Sequence, residues 1–129
     1  METYGTRERE SIESRNQAES VVSRVYESVK ALCTGQGDVR ERLIVAVQLL
    51  LPLNSEQFPV SLRSDFLWVI EQSTKYEPNY EGRIGNLEAT MRRIKKSTGQ
   101  KIANKIFHIY SVIQDIRGFP LLEYRNPIE

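Results

Sequence analysis

Five isoleucines near the carboxyl-terminal end of the sequence are the feature that most restricts how this chain folds. They recur at steps of three or four residues, as Ile102, Ile106, Ile109, Ile113 and Ile116. An α-helix has about 3.6 residues per turn, so these side chains share one helix face. The spacing predicts a helix that packs its isoleucine face into a core and ends at Gly118 and Pro120.

The same spacing of apolar residues occurs in four earlier segments. Three predicted helices cover residues from about 18 to 34, from 39 to 51 and after Pro59, and a fourth runs from Ile84 to Lys96. The breaks between helices are expected at Gly35 and Gly37, at Pro52, at Pro78 and Gly82, and at a turn over residues 97–99. No segment alternates apolar and polar residues as a strand would. The sequence therefore predicts an all-α, compact bundle of four to five helices.

Local signals also predict how the second helix begins and how the two ends of the chain differ from the bundle. Asp38 suits the N-cap position, with Glu41 three residues later as in a capping box. Residues 1–17 are polar without periodicity, which predicts a frayed or disordered segment. Residues 18–129 are expected to form a single helical domain. Its last part, from Phe119, is proline-rich and is expected to be an extended arm packed on the bundle.

Several kinds of chemistry lack the residues that they require. The chain has one cysteine, Cys33, and one histidine, His108, so neither a disulfide nor a spaced metal-ligand set is expected. Cys33 falls on the apolar stripe of the first helix and is expected to face inward. No cofactor or small-molecule substrate is inferred. No apolar run approaches the ~18 residues of a membrane span, and no signal-peptide region is apparent, so a cytoplasmic protein without membrane contact is expected.

Positive charge is concentrated late in the sequence. Residues 83–113 carry seven Lys or Arg against one acidic residue, although the net charge of the whole chain is +1. Five of these cations are candidate contacts to nucleic acid or to an acidic partner: Arg92, Arg93, Lys96, Lys101 and Lys105. They lie on a predicted helix–turn–helix-like corner over residues 84–113, which favours phosphate binding as one hypothesis. The other interpretation is a solvated basic face, since no aromatic residue is interleaved as a base-stacking platform.

Four large side chains lie beside the predicted core stripes. They are Leu67 and Trp68 in the third helix and Phe107 and Tyr110 in the fifth. Such residues indicate either a core that is wider than one stripe or an exposed apolar patch of the kind found at protein interfaces. The preferred hypothesis is a non-enzymatic protein-interaction module, either an accessory or adaptor subunit or a homo-oligomer. These four residues would be its anchors, and the five cations would form a basic rim.

A catalytic hypothesis rests on His108. Lys101 and His108 are separated by six residues on one helix, which resembles the cation–histidine spacing of some helical ribonucleases. A Cys33–His108 dyad is the sole thiol alternative. Both arrangements lack a third partner, so an enzyme is not expected and RNA cleavage is retained as a third hypothesis.

Overall fold

The computed structural model describes residues 19–78 and 85–125, with side chains described as far as residue 116. Five α-helices follow one another: α1 (residues 19–34), α2 (Val39–Gln48), α3 (Arg63–Ser73), α4 (Asn86–Arg93) and α5 (Lys96–Arg125). Two single 3-10 turns, Ser55–Gln57 and Val60–Leu62, connect α2 to α3. No strand occurs in the described ranges, which confirms the all-α bundle. The prediction for residues 1–17 and the expected start at Ile84 lie outside the described residues.

The isoleucine face of α5 forms the centre of the bundle. Ile102 and Ile106 are fully buried and Ile109 and Ile113 nearly so, which confirms four positions of the predicted ladder. Ile116, the fifth, is 52% exposed because it lies near the edge of the packed region. Helices α2 and α3 pack on α5, and α4 packs on α2 and α3. The buried apolar residues of all five helices belong to one contiguous cluster, as expected for a single core.

Helices α1 and α2 form an antiparallel pair held by polar contacts as well as by apolar packing. Three side chains donate to carbonyl oxygens of the neighbouring segment: Arg24 to Leu49 (3.2 Å), Ser28 to Ala46 (2.9 Å) and Arg42 to Leu32 (2.7 Å). Ser28 is fully buried, so its hydrogen bond satisfies a hydroxyl that water does not reach.

The start of α2 confirms the predicted N-cap but not the reciprocal capping box. The Asp38 carboxylate accepts from the Arg40 backbone amide at 2.8 Å and pairs with the Arg40 guanidinium at 2.7 Å. These hydrogen bonds lower the pKa of Asp38 from 3.8 to about 2. Arg40 also donates to the Ile94 carbonyl at 3.1 Å, so one side chain links the start of α2 to the end of α4. Gly37 precedes the cap with φ +83°, where a Cβ would collide with the Glu41 carboxylate.

The break between α4 and α5 differs from the prediction. It lies at Ile94 and Lys95 instead of residues 97–99, which belong to the first turn of α5. Ile94 is extended (ψ 158°) and buried, so it turns the chain while remaining in the core. Gly99 lies where α5 crosses α2, and a Cβ there would be 3.1 Å from Val39 Cγ1. The glycine thus permits close helix packing, and it does not mark a turn.

The end of α5 is also different from the prediction. The helix continues through Gly118 and Pro120 to Arg125, so the extended arm expected from Phe119 is wrong for residues 119–125. Residues 126–129 lie outside the described part of the chain. Within the described ranges, no helix combines the length and apolarity needed to cross a bilayer.

Candidate functional site

The four predicted anchor residues do not form one patch, because they lie on different flanks of their helices. Leu67 is 53% exposed and borders an open groove of about 490 Å³ together with Leu51 and Ile70. Trp68 is one residue further along α3 and therefore points about 100° away from Leu67. It is partly buried against the core on the side of α3 that faces α5.

Trp68 belongs to a polar junction between α3 and α5. The Lys105 ammonium lies 5.6 Å from the centroid of the Trp68 ring and 3.2 Å from Asp65 Oδ1. His108 Nε2 lies 3.6 Å from the other oxygen of Asp65. The Asp65 carboxylate on α3 is therefore shared by two side chains of α5, with the indole beside them. This placement fits the interpretation that Trp68 belongs to a wide core better than the interpretation that it is an exposed anchor.

Phe107 and Tyr110 lie on the opposite flank of α5, together with a tyrosine from α1. The ring centroids of Tyr26 and Tyr110 are 6.4 Å apart, and those of Tyr110 and Phe107 are 6.3 Å apart. We call these three residues the aromatic row. Phe107 is 56% exposed and Tyr26 is 48% exposed, whereas Tyr110 is half-buried against the core. The row joins α1 to α5 and presents aromatic surface to solvent.

Sequence reasoning missed Tyr26 as a member of this surface. Tyr26 follows the apolar spacing of the first helix together with Val22 and Val29, which is typical of an inward side chain. The buried face of α1 is instead centred on Val25 and Ser28, which leaves Tyr26 at the edge of that face. The hydroxyl group of Tyr26 was the one available sign of exposure, because a tyrosine at the border of an apolar stripe can place that polar end in water. Cys33 is exposed for the same reason, which corrects the expectation that it faces inward.

The five predicted contact cations are not equally available to a partner. Arg92 pairs with Glu88 at 2.7 Å on the exposed side of α4. The Arg93 guanidinium lies 4.6 Å from the centroid of the Tyr76 ring, and Lys105 is held by Asp65 as described above. Lys96 and Lys101 are exposed, and neither makes a salt bridge within the described part of the chain. The exposed charge is thus near the first turns of α5, where Lys95 is also exposed.

Among the described residues, this arrangement does not bring together the side chains that either catalytic hypothesis requires. His108 faces Asp65 across the α3–α5 junction, where Lys105 also contacts Asp65, while Lys101 is exposed one turn before Lys105 on α5. No hydrogen bond joins Cys33 to His108 among the described residues. In the same part of the chain, no group of three His, Cys, Asp or Glu side chains is close enough to hold a metal ion.

Comparisons with family models, with curated proteins and with solved structures find no match to this chain. The functional argument therefore depends on the side chains that the fold exposes. Among these, the aromatic row is distinctive because it gathers two exposed aromatic rings around the half-buried Tyr110.

Proposed function

We propose that this chain is a non-enzymatic helical protein-interaction module that acts as an accessory or adaptor subunit or as a homo-oligomer. The aromatic row is its contact surface, and the observation that carries the proposal is the exposure of Phe107 and Tyr26, whose rings each neighbour that of Tyr110. Aromatic residues are enriched in the buried centre of interfaces, where removing apolar area from water favours association. A cytoplasmic location is part of the same proposal.

Lys96 and Lys101 act in this proposal as a basic rim. Exposed charges at the edge of an interface mainly alter the association rate and its dependence on salt, and contribute little to affinity. An acidic surface on the partner would therefore bind faster at low ionic strength. Arg92 and Lys105 contribute less to such steering, because the charge of each is offset by a carboxylate within the fold.

A matched pair of substitutions tests the proposed surface. The tagged full-length chain is used to retain proteins from its own cells, in the wild type and as the variants Phe107→Lys and Leu67→Lys. The two sites are similarly exposed, at 56% and 53%, but only Phe107 belongs to the aromatic row. We expect proteins retained by the wild type to be lost with Phe107→Lys and kept with Leu67→Lys. Equal recovery with both variants, each shown to be helical by circular dichroism, would contradict the proposal.

Nucleic-acid binding is a second candidate, supported by the exposed lysines near the start of α5. Fluorescence anisotropy with labelled DNA and RNA across a salt series tests it, because phosphate contacts make affinity fall steeply with salt. If the candidate is correct, Lys96→Glu with Lys101→Glu abolishes binding, whereas Lys105→Gln has little effect because Lys105 is held by Asp65. Absence of binding at about 50 mM salt eliminates this function.

The ribonuclease hypothesis is decided with the same labelled RNA. We expect the RNA to remain intact with the wild-type chain, because within the described part of the chain the polar contact of His108 is to the Asp65 carboxylate alone. Cleavage by the wild type that is lost with His108→Ala would instead restore that hypothesis.

A further inference from the structure

A line of five uncharged positions spans about four helical turns on the outer side of α5 next to the aromatic row, with the exposed Lys96 one turn before it and Asp115 beside it. Alternating steps of four and three residues connect its members, Gln100, Asn104, Phe107, Ser111 and Gln114. We call these five residues the α5 seam. Each is exposed or half-buried, and steps of four and three place them on one helix face in the manner of helix-pairing positions. Phe107 lies at the middle of the seam.

The lack of charge is informative about the partner. In a two-fold symmetric interface, residues near the axis meet the same residues of the other copy, so any charge there faces its like. The seam avoids this repulsion, although the neighbouring exposed positions of α5 include Lys101 and Asp115. In an antiparallel pair, only the positions nearest the two-fold axis meet themselves, and around Phe107 these include the uncharged Asn104 and Ser111. A second copy of the chain can therefore approach at this point without meeting its own charge.

The charged residues beside the seam indicate the direction of packing. Lys101 and Asp115 each follow a glutamine of the seam by one position, so they flank it on the same side. They are 14 residues apart, or about 21 Å along the helix. In a parallel pair, Lys101 of one copy stays about 21 Å along the axis from Asp115 of the other, so the two cannot pair. An antiparallel pair centred near Phe107 places Lys101 of one copy level with Asp115 of the other, twice. Neither residue makes a salt bridge within the described part of the chain.

The other side of the seam supplies apolar contact. Ala103 and Tyr110 lie there, and the aromatic row continues from Tyr110 to Tyr26 on α1. Resting on the proposed function, we infer that the partner at this surface is a second copy of the chain, packed antiparallel through the α5 seam.

A contact about 21 Å long, with one phenylalanine and several amides, is at the small end of specific interfaces. The dimer is therefore weak and dependent on concentration.

Analytical ultracentrifugation of the purified full-length chain tests this inference. From micromolar to millimolar concentration we expect a reversible monomer–dimer equilibrium. Phe107→Lys should raise the dimer dissociation constant at least about tenfold, since the aromatic contact is lost and two like charges meet near the axis. Leu67→Lys, at an equally exposed site away from the seam, should leave it unchanged. A dimer that is unaffected by Phe107→Lys would overturn the inference.

Charge exchange tests the antiparallel direction. Lys101→Glu and Asp115→Lys each place like charges level with one another and should weaken the dimer about two- to tenfold, as expected for two exposed pairs. The double variant Lys101→Glu/Asp115→Lys restores opposite charges and should return the dissociation constant toward that of the wild type. In a parallel dimer the double variant would gain nothing, and that result would overturn the proposed arrangement.

The outcomes also separate this inference from the proposed function. A chain that is monomeric at every concentration overturns the inference. If Phe107→Lys still abolishes retention of a cellular protein, the interaction function stands with a different partner. If the chain is monomeric and Phe107→Lys changes no retention, both proposals fail.

Discussion

The contribution of Asp38 to the stability of the fold depends on the charge of its carboxylate. Hydrogen bonds from Arg40 and from its backbone amide stabilise the carboxylate, and the pKa of Asp38 is about 2 in the folded chain against an ordinary value of 3.8. A lowered pKa means that the folded state holds the proton less tightly than the unfolded state. The stabilisation is therefore complete above about pH 4 and is lost as the pH falls through about 2.

Replacement of Asp38 by asparagine isolates this effect, because an amide oxygen can still cap α2. We expect the wild type to be more stable than Asp38→Asn at pH 6, and the difference to shrink as the pH falls from about 4 to about 2. Urea unfolding followed by circular dichroism at several pH values measures it. Arg40→Gln should show the same loss of pH dependence, since it removes the guanidinium that lowers the pKa. A difference between wild type and Asp38→Asn that is constant with pH would contradict this account.

Individual residues were predictable from the sequence where their role is local. The Asp38 cap depends on neighbours two residues away, so the sequence suffices. Tyr26 and Cys33 lie at the edges of an apolar stripe, and their exposure depends on how far the adjacent helices extend over them. Trp68 and Phe107 were equally ambiguous in sequence. Their different environments arise because α3 packs against only one flank of α5.

At the scale of whole helices, Gly99 shows that the role of a residue depends on which helix packs against it. Its backbone lies against α2, where an added Cβ would be 3.1 Å from Val39 Cγ1 and 3.2 Å from Arg40 Cγ. In the sequence this glycine resembles a turn between two helices. The position of the break was wrong because the buried Ile94 supplies the turn, and the space required by the helix crossing explains the glycine.

Substitution of Gly99 tests the close approach of α2 and α5. We expect Gly99→Leu to lower the free energy of unfolding by about 1–3 kcal/mol, because the larger side chain must force the helices apart. Leucine favours helix more than glycine does, so a purely local effect would have the opposite sign. Gly85→Ala is the matched control, since a Cβ at Gly85 meets nothing within 4 Å. Chemical denaturation of both variants provides the measurement, and an unchanged or raised stability for Gly99→Leu would contradict the packing argument.

For the molecule as a whole, the helical class and the core were predictable because both follow from repeated spacing. The isoleucine ladder identified the central helix and four of its buried positions. The candidate site was predictable only in part. Phe107 and Tyr110 were identified as lying off the stripe, but the contact of Tyr110 with Tyr26 joins residues 84 positions apart. Apolar periodicity describes each helix singly, and it does not specify which flanks of two helices become neighbours.

A single core predicts that the described helices unfold together. Trp68 is the only tryptophan of the chain and packs on the core, so its fluorescence reports on the α3–α5 junction while circular dichroism reports on all helices. We expect coincident unfolding transitions from the two probes. Ile106→Ala should destabilise both by about 2–5 kcal/mol, because it leaves a cavity at a fully buried site. Ile116→Ala, in the same ladder but 52% exposed, should cost less than about 1 kcal/mol. A fluorescence transition that precedes the loss of helix, or equal effects of the two alanines, would show that the bundle does not share one core.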